Sequence, residues 1–150
     1  MSVRQRLEDG LFLWSKGRKQ SAFTLILIAV AATARKRYPR STIQGDGEAF
    51  RKFCLDEMGA ITDGPSKNVA IAYEGDERVP LEKILYDHLR CELVHKGAMP
   101  ETIEFSPPRL RDGRIYHVLR LRSPLGFPEG WVHNLAKVVA TAPENADEFR

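Results

Sequence analysis

Residues 20–34 carry no charged side chain, and this run restricts the fold more than any other feature of the chain. Its length of roughly 15 residues is short of the ~18–20 that a membrane-spanning helix needs. Residues 32–34 (Ala-Thr-Ala) mimic a signal-peptidase site, yet Glu8 and Asp9 lie before the run, which is atypical of a signal peptide. We therefore predict a fully buried central helix, no membrane segment and a cytoplasmic protein.

The remainder of the chain predicts one domain over residues 1–150, a length at which a hydrophobic core forms without disulfide bonds. Apolar residues recur at helical spacing in four further segments. These predicted helices cover residues 2–15, 47–59, 79–96 and 129–141. Residues 143–150 are expected to form a frayed tail.

The segment from about residue 100 to 125 has a different pattern. Its prolines exclude a long helix, and Asp112-Gly113 is a turn dipeptide followed by alternating polar and apolar residues. A small β hairpin is therefore expected here. The predicted fold class is mainly α: a helical bundle of about five helices with a small β hairpin inserted before the last helix.

The helix predicted at residues 79–96 carries most of the chemistry. Leu81, Leu85, Leu89 and Leu93 recur every four residues and give one apolar ridge. The polar side chains of the same helix are Tyr86, Asp87, His88, Arg90, Glu92, His95 and Lys96. This interleaving predicts a helix that buries one side and presents reactive groups on another.

One interpretation of this helix is a metal site. His88, Glu92 and His95 are spaced four and three apart, so they point the same way on an ideal helix, and these residue types suit a divalent transition metal. A simpler interpretation makes His88 and Glu92 a surface pair on a solvated face. The chain lacks the two-histidine zinc signature, and we predict no metal and no cofactor.

A third interpretation uses Arg90 and His95, which have four residues between them. Together with Tyr86, Leu93-Val94 and Gly97, they resemble the Arg-x4-His segment of HEPN domains. This resemblance implies a helical bundle that acts as a metal-independent endoribonuclease, in which the ribose 2′-hydroxyl attacks the adjacent phosphate.

The resemblance also assigns roles to the site residues. His95 would accept a proton near neutral pH, Arg90 would stabilise charge on the phosphate, and Tyr86 would hold the phosphate or orient Arg90. Asp87, His88, Glu92 and Lys96 would support the motif.

On an ideal helix Arg90 and His95 point about 140° apart, so one chain alone makes an awkward site. The resemblance resolves this by pairing two motifs, which predicts a homodimer through the helix at residues 79–96. It also implies a toxin or defence role and an antitoxin-type protein partner.

Charge gives a second indication of function. The formal net charge of +3 is mild, but arginines crowd the predicted hairpin. Its candidate RNA-binding residues are Arg111, Arg114, Arg120 and Arg122, beside Arg109. A second basic cluster occupies residues 35–40. Clustered guanidinium groups suit phosphate, whereas the simpler interpretation makes both clusters solvated faces.

An alternative function follows from Cys91, because active members of the resembling family usually have a polar residue after the arginine. The domain would then be a catalytically inactive module that binds RNA, a nucleotide or a protein. In that case Arg90 would form a buried ion pair with Asp87 or Glu92, and His95 would bond to a carbonyl at the helix end.

Overall fold

The computed structural model describes residues 1–64 and 68–150. Its first half is helical: α1 (Val3–Ser15), α2 (Lys19–Arg37), α3 (Asp46–Asp56) and α4 (Met58–Thr62). These helices cover the segments predicted at residues 2–15, 20–34 and 47–59.

The central helix is α2, which packs against α1, α3 and α7 (Glu129–Thr141). Phe23, Ile26, Leu27 and Val30 of α2 are all fully buried, as predicted for the uncharged run. Among the described residues, no helix is both long and apolar enough to cross a membrane.

The second half contains three two-stranded sheets. β1 (Ala70–Tyr73) pairs with β2 (Asp76–Pro80) in antiparallel order, and β3 (Ile103–Ser106) pairs with β6 (Leu125–Pro128) in parallel order. Between these last two strands, β4 (Arg109–Arg111) and β5 (Arg114–Tyr116) form an antiparallel ribbon.

The expectation of a mainly α bundle is therefore wrong, because the fold is mixed α/β. About 54% of the described residues are helical and 16% lie in strands. The expected hairpin is present at β4–β5, where Asp112 and Gly113 both adopt positive φ and give the turn that fits strand twist. The β1–β2 hairpin and the parallel β3–β6 pair were not expected from the sequence.

The segment predicted as residues 79–96 is helical from 81 to 96, but it is not uniformly α-helical. It consists of α5 (Leu81–Lys83), a π-helical segment (Ile84–Arg90) and α6 (Cys91–Lys96). Below, these three parts are called the motif helix. Gly97, with φ +73°, ends it in the left-handed conformation that glycine adopts readily.

The C-terminal segment is docked rather than frayed. A 3₁₀ turn (Pro143–Asn145) follows α7, and the buried Asn145 amide donates to Thr33 Oγ1 at 2.9 Å. Further along, the Glu148 carboxylate accepts from the backbone N–H of Arg4 and from Lys36 Nζ. Hydrogen bonds to buried polar groups hold this segment where local propensity predicts fraying.

Candidate functional site

The motif helix buries its leucine ridge and thereby sets the direction of its polar residues. Leu81, Leu85 and Leu89 are fully buried, and Leu93 is nearly so. Burying four leucines contributes several kcal/mol, at about 1.5–3 kcal/mol for each side chain. This contribution holds the helix in one orientation.

The π-helical segment brings Tyr86 and Arg90 together. Its Cys91 N–H donates to the carbonyl of Tyr86, five residues earlier. The guanidinium carbon of Arg90 lies 5.4 Å from the centre of the Tyr86 ring, within the range of a cation–π contact. π-Helical turns are rare and occur frequently at functional sites, which directs attention to this pair.

Tyr86 and Arg90 both line a cavity of about 300 Å³, called here the Arg90 pocket. It lies between the motif helix, α1, α2 and the start of α3. Its lining residues are Arg6, Ile28, Ala31, Ala32, Arg35, Arg40, Asp46, Tyr86 and Arg90. Four arginines face one aspartate, so the lining has a clear excess of positive charge.

Arg35 forms the rigid wall of the pocket. Its guanidinium donates through Nε to Asp46 Oδ1 at 2.7 Å, and through Nη1 and Nη2 to the carbonyls of Tyr38, Ile43 and Gln44. One side chain thus fixes the whole connection between α2 and α3. Arg35 is therefore mainly structural, and most of its donors are already used.

Asp46 is the one acidic residue in the lining, and two arginines share it. The hydrogen bond from Arg35 lowers the pKa of Asp46 below its ordinary value, and the positive charges of Arg40, Arg35 and Arg90 add to that effect. The Asp46 side chain is 58% exposed. It stays ionised at neutral pH and offsets only part of the positive charge.

Arg90 and Arg6 have no acidic side chain at ion-pair distance among the described residues, and Arg90 acts on Asp46 only through its charge. The Arg90 Nε is buried and has no hydrogen-bond acceptor among the described residues. Neither arginine forms an ion pair within this part of the chain. A buried cationic N–H without an acceptor is energetically unfavourable. Separately, the excess of arginines over acidic residues in the lining favours an anion in the pocket.

The other polar residues of the motif helix are engaged elsewhere. Asp87 lies 3.8 Å from Arg51, and Glu92 forms an ion pair with Lys96 at 2.9 Å. The expected ion pair of Arg90 with Asp87 or Glu92 is therefore not formed. His88 instead packs against Tyr73 in a tilted arrangement, with ring centres 4.8 Å apart.

His95 lies on the exposed end of the motif helix and does not line the Arg90 pocket. The structure therefore separates it from Tyr86 and Arg90 within one chain. His88, Glu92 and His95 do not converge as metal ligands either. In the described ranges, no three histidine, cysteine or acidic side chains are arranged to hold a metal ion.

The four candidate RNA-binding arginines do not form one surface. Arg111 and Arg114 form a cross-strand pair on the exposed β4–β5 ribbon. Arg120 pairs instead with Glu104, while Arg122 lines a different cavity of about 460 Å³ beside the β1–β2 hairpin.

Sequence reasoning missed Arg6 and Asp46 as members of the site. Arg6 reaches the pocket because α1 crosses α2 closely at Gly10, where an added Cβ would lie 3.1 Å from Ile26 Cγ1. That close crossing is a tertiary feature, and the glycine inside an amphipathic helix is its only local signal.

The comparisons with known proteins add a family assignment. No curated protein and no solved structure matches the chain. The family model Rv1289 matches residues 2–149, nearly the whole chain, and its description states no activity. The chain therefore belongs to the Rv1289 family.

Proposed function

We propose that this protein is a binding module for a small phosphorylated ligand, held in the Arg90 pocket. The observation that carries the proposal is the lining of this pocket, in which four arginines face one aspartate. Arg90, whose buried Nε has no acceptor among the described residues, belongs to that lining. The proposal develops the nucleotide-binding alternative from the sequence.

The chemistry of the lining favours phosphate. Arg6, Arg40 and Arg90 come from three separate segments, and a guanidinium group can hold two phosphate oxygens at once. The N-terminus of α3 also opens at this pocket without a side-chain cap, so its dipole adds to the positive potential.

The size and floor of the pocket favour a small ligand. Its volume of about 300 Å³ is at the lower end of the range for small-molecule sites. Ile28, Ala31 and Ala32 of α2 give it an apolar floor against which an organic group can pack. A phosphate with a modest organic group, such as a nucleoside monophosphate, fits this description.

The lining contains no strong general base among the described residues. The hydrogen bond from Arg35 lowers the pKa of Asp46, which makes its carboxylate a weak proton acceptor, and His95 lies outside the cavity. The arrangement therefore supports binding better than it supports phosphodiester cleavage within one chain.

The first prediction concerns Arg90→Gln, which removes the charge but keeps a polar side chain. We expect titration calorimetry with inorganic phosphate and with AMP to show binding to wild type that the variant weakens about tenfold to a hundredfold. The reason is that hydrogen bonds to charged groups contribute about 1.5–3 kcal/mol.

The matched control is Arg18→Gln, the same change at an exposed arginine for which the described part of the chain offers no side-chain partner. It should bind both probes like wild type. Equal affinities for wild type and Arg90→Gln, or no binding of either probe to wild type, would reject the proposal.

The second candidate is the metal-independent endoribonuclease that the Arg-x4-His resemblance implies. The observation that favours it is the joint position of Tyr86 and Arg90 in one basic pocket. A homodimer through the motif helix would then have to supply His95 from a second copy. We keep the cytoplasmic location, the toxin or defence role and the antitoxin-type partner as parts of this second proposal.

The second prediction separates the two candidates. If the protein is the proposed binding module, wild type should not cleave a mixed RNA pool in EDTA, although it binds AMP. Cleavage that leaves cyclic-phosphate ends, and that His95→Ala abolishes, would instead establish the nuclease. Cleavage by both proteins would indicate a contaminant, because His95 is the only proton acceptor that this mechanism assigns.

A further inference from the structure

The β4–β5 ribbon stands exposed on both faces, which is unusual for a two-stranded sheet. Every residue of both strands is exposed. An isolated two-stranded hairpin is only marginally stable in water. A bound partner would stabilise such a ribbon, and its exposed side chains indicate the chemistry that a partner would need.

The strand register divides the ribbon into two chemically different faces. Residues directly opposite each other in an antiparallel pair lie on the same face. Leu110 pairs with Ile115, and these two form the apolar face. The other pairs, Arg109 with Tyr116 and Arg111 with Arg114, form what we call the arginine face.

The arginine face has no partner in the chain itself. Arg109, Arg111 and Arg114 form no ion pair within the described residues. Arg111 and Arg114 even lie directly opposite each other, which is unfavourable for like charges unless an anion lies between them. The face is therefore complementary to a polyanion with closely spaced charges.

The shape of the ribbon distinguishes between polyanions. Two strands about 4.8 Å apart, with side chains, fit the B-DNA major groove of about 12 Å. The major groove of A-form RNA is too narrow for side chains to enter. Single strands are usually held by several stacking aromatic side chains, and this face offers Tyr116 alone.

We propose that the arginine face of the β4–β5 ribbon binds duplex DNA, with Arg109, Arg111 and Arg114 contacting phosphates at the major groove. This surface is separate from the Arg90 pocket and shares no residue with it. The proposal therefore stands or falls independently of ligand binding in that pocket.

Fluorescence anisotropy with a labelled mixed-sequence DNA duplex tests this proposal. The variant Arg109→Gln/Arg111→Gln/Arg114→Gln should bind about tenfold or more weakly at about 100 mM salt. Three phosphate contacts give a salt slope of about −2.7, so the variant should lose that much of the wild-type slope. A circular dichroism spectrum of each variant checks that the fold is kept.

The matched control is Leu110→Thr/Ile115→Thr, which changes the apolar face, keeps strand propensity and leaves the charge unchanged. It should bind the duplex within about twofold of wild type, a difference below about 0.5 kcal/mol. Three results would overturn the proposal. They are no duplex binding by wild type, equal losses in both variants, and tighter binding of a single-stranded RNA of the same length.

Discussion

Gly47, in the first turn of α3, determines where the Tyr86 ring can lie. A Cβ at this position would approach Tyr86 Cε1 at 2.7 Å and Arg51 Nη1 at 3.0 Å. Contacts this short require a neighbour to move, and the Tyr86 ring also packs against Phe50 and Arg90. The missing side chain of Gly47 therefore places the ring that borders the Arg90 pocket.

The third prediction concerns Gly47→Ala. Alanine gains about 1 kcal/mol of helix propensity, while overpacking costs about 1–3 kcal/mol, so the free energy of unfolding should fall by at most about 2 kcal/mol. Phosphate affinity should nevertheless fall about fivefold to tenfold, because the displaced Tyr86 ring moves Arg90. Calorimetry with inorganic phosphate and urea unfolding measure the two quantities.

Gly45→Ala provides the control for this prediction. Its added Cβ would lie 3.7 Å from Glu48 Cβ, an ordinary contact, and its φ of −76° suits alanine. Phosphate affinity unchanged in Gly47→Ala, or equally reduced in Gly45→Ala, would show that the Tyr86 ring position does not matter for binding.

At the scale of elements, the pattern of apolar residues located the long helices. The apolar stripes of α1, α3 and α7 recur with a 3.6-residue period, because each helix packs on one side. The central helix α2 has no such stripe and was located by its uncharged run. The Asp112-Gly113 turn was also predictable, since both residues tolerate positive φ.

Other elements left too weak a local signal. The strands β1 and β2 have only four and five residues, and much of their surface is exposed. The parallel pairing of β3 with β6 joins segments separated by a hairpin, so no local pattern reveals it. The π-helical segment was missed because its leucine spacing also fits an α-helix.

Only part of the candidate site could be predicted from the sequence, again because some of its residues leave no local signal. Tyr86 and Arg90 belong to one local motif and were identified from the sequence. Arg6 and Asp46 join them only through the packing of α1 and α3, which local spacing does not encode. Local spacing therefore predicts the residues of one wall of the pocket and misses those of the opposite wall.

At the scale of the whole molecule, Arg37 joins segments that are distant in sequence. From the end of α2, its guanidinium contacts Glu144 at 2.7 Å and Glu57 at 2.8 Å. It also lies 4.5 Å from the centre of the Phe53 ring. Its side chain is 16% exposed, so water screens these contacts only partly.

The fourth prediction concerns Arg37→Met at neutral pH. Removing the guanidinium leaves Glu57 and Glu144 half-buried without a cation, so the free energy of unfolding should fall by about 2–3 kcal/mol. For a chain of this size the melting temperature should fall by about 5–10 °C. Arg18→Met, at an exposed arginine, should change it by less than about 2 °C.

The pH dependence of the free energy of unfolding of Arg37→Met tests whether the loss of stability comes from the ion pair with Glu144. The hydrogen bond from Arg37 lowers the pKa of Glu144 below its ordinary 4.5. Stability from this carboxylate is therefore fully present above pH 4.5 and is lost as the pH falls through the lowered value. The stability difference between wild type and Arg37→Met should narrow in acid, and a constant difference would contradict this origin.

The fixed connection between α2 and α3 has a consequence for the speed of ligand binding. Because Arg35 already binds the carbonyls of Tyr38, Ile43 and Gln44, no loop must fold when a ligand arrives. The entropic cost is then confined to side chains such as Arg6 and Arg40, at about 0.5–1.5 kcal/mol each. The association rate constant should therefore be limited mainly by diffusion and orientation. Competing phosphorylated ligands should then differ chiefly in their dissociation rate constants, and so in how long each one stays bound.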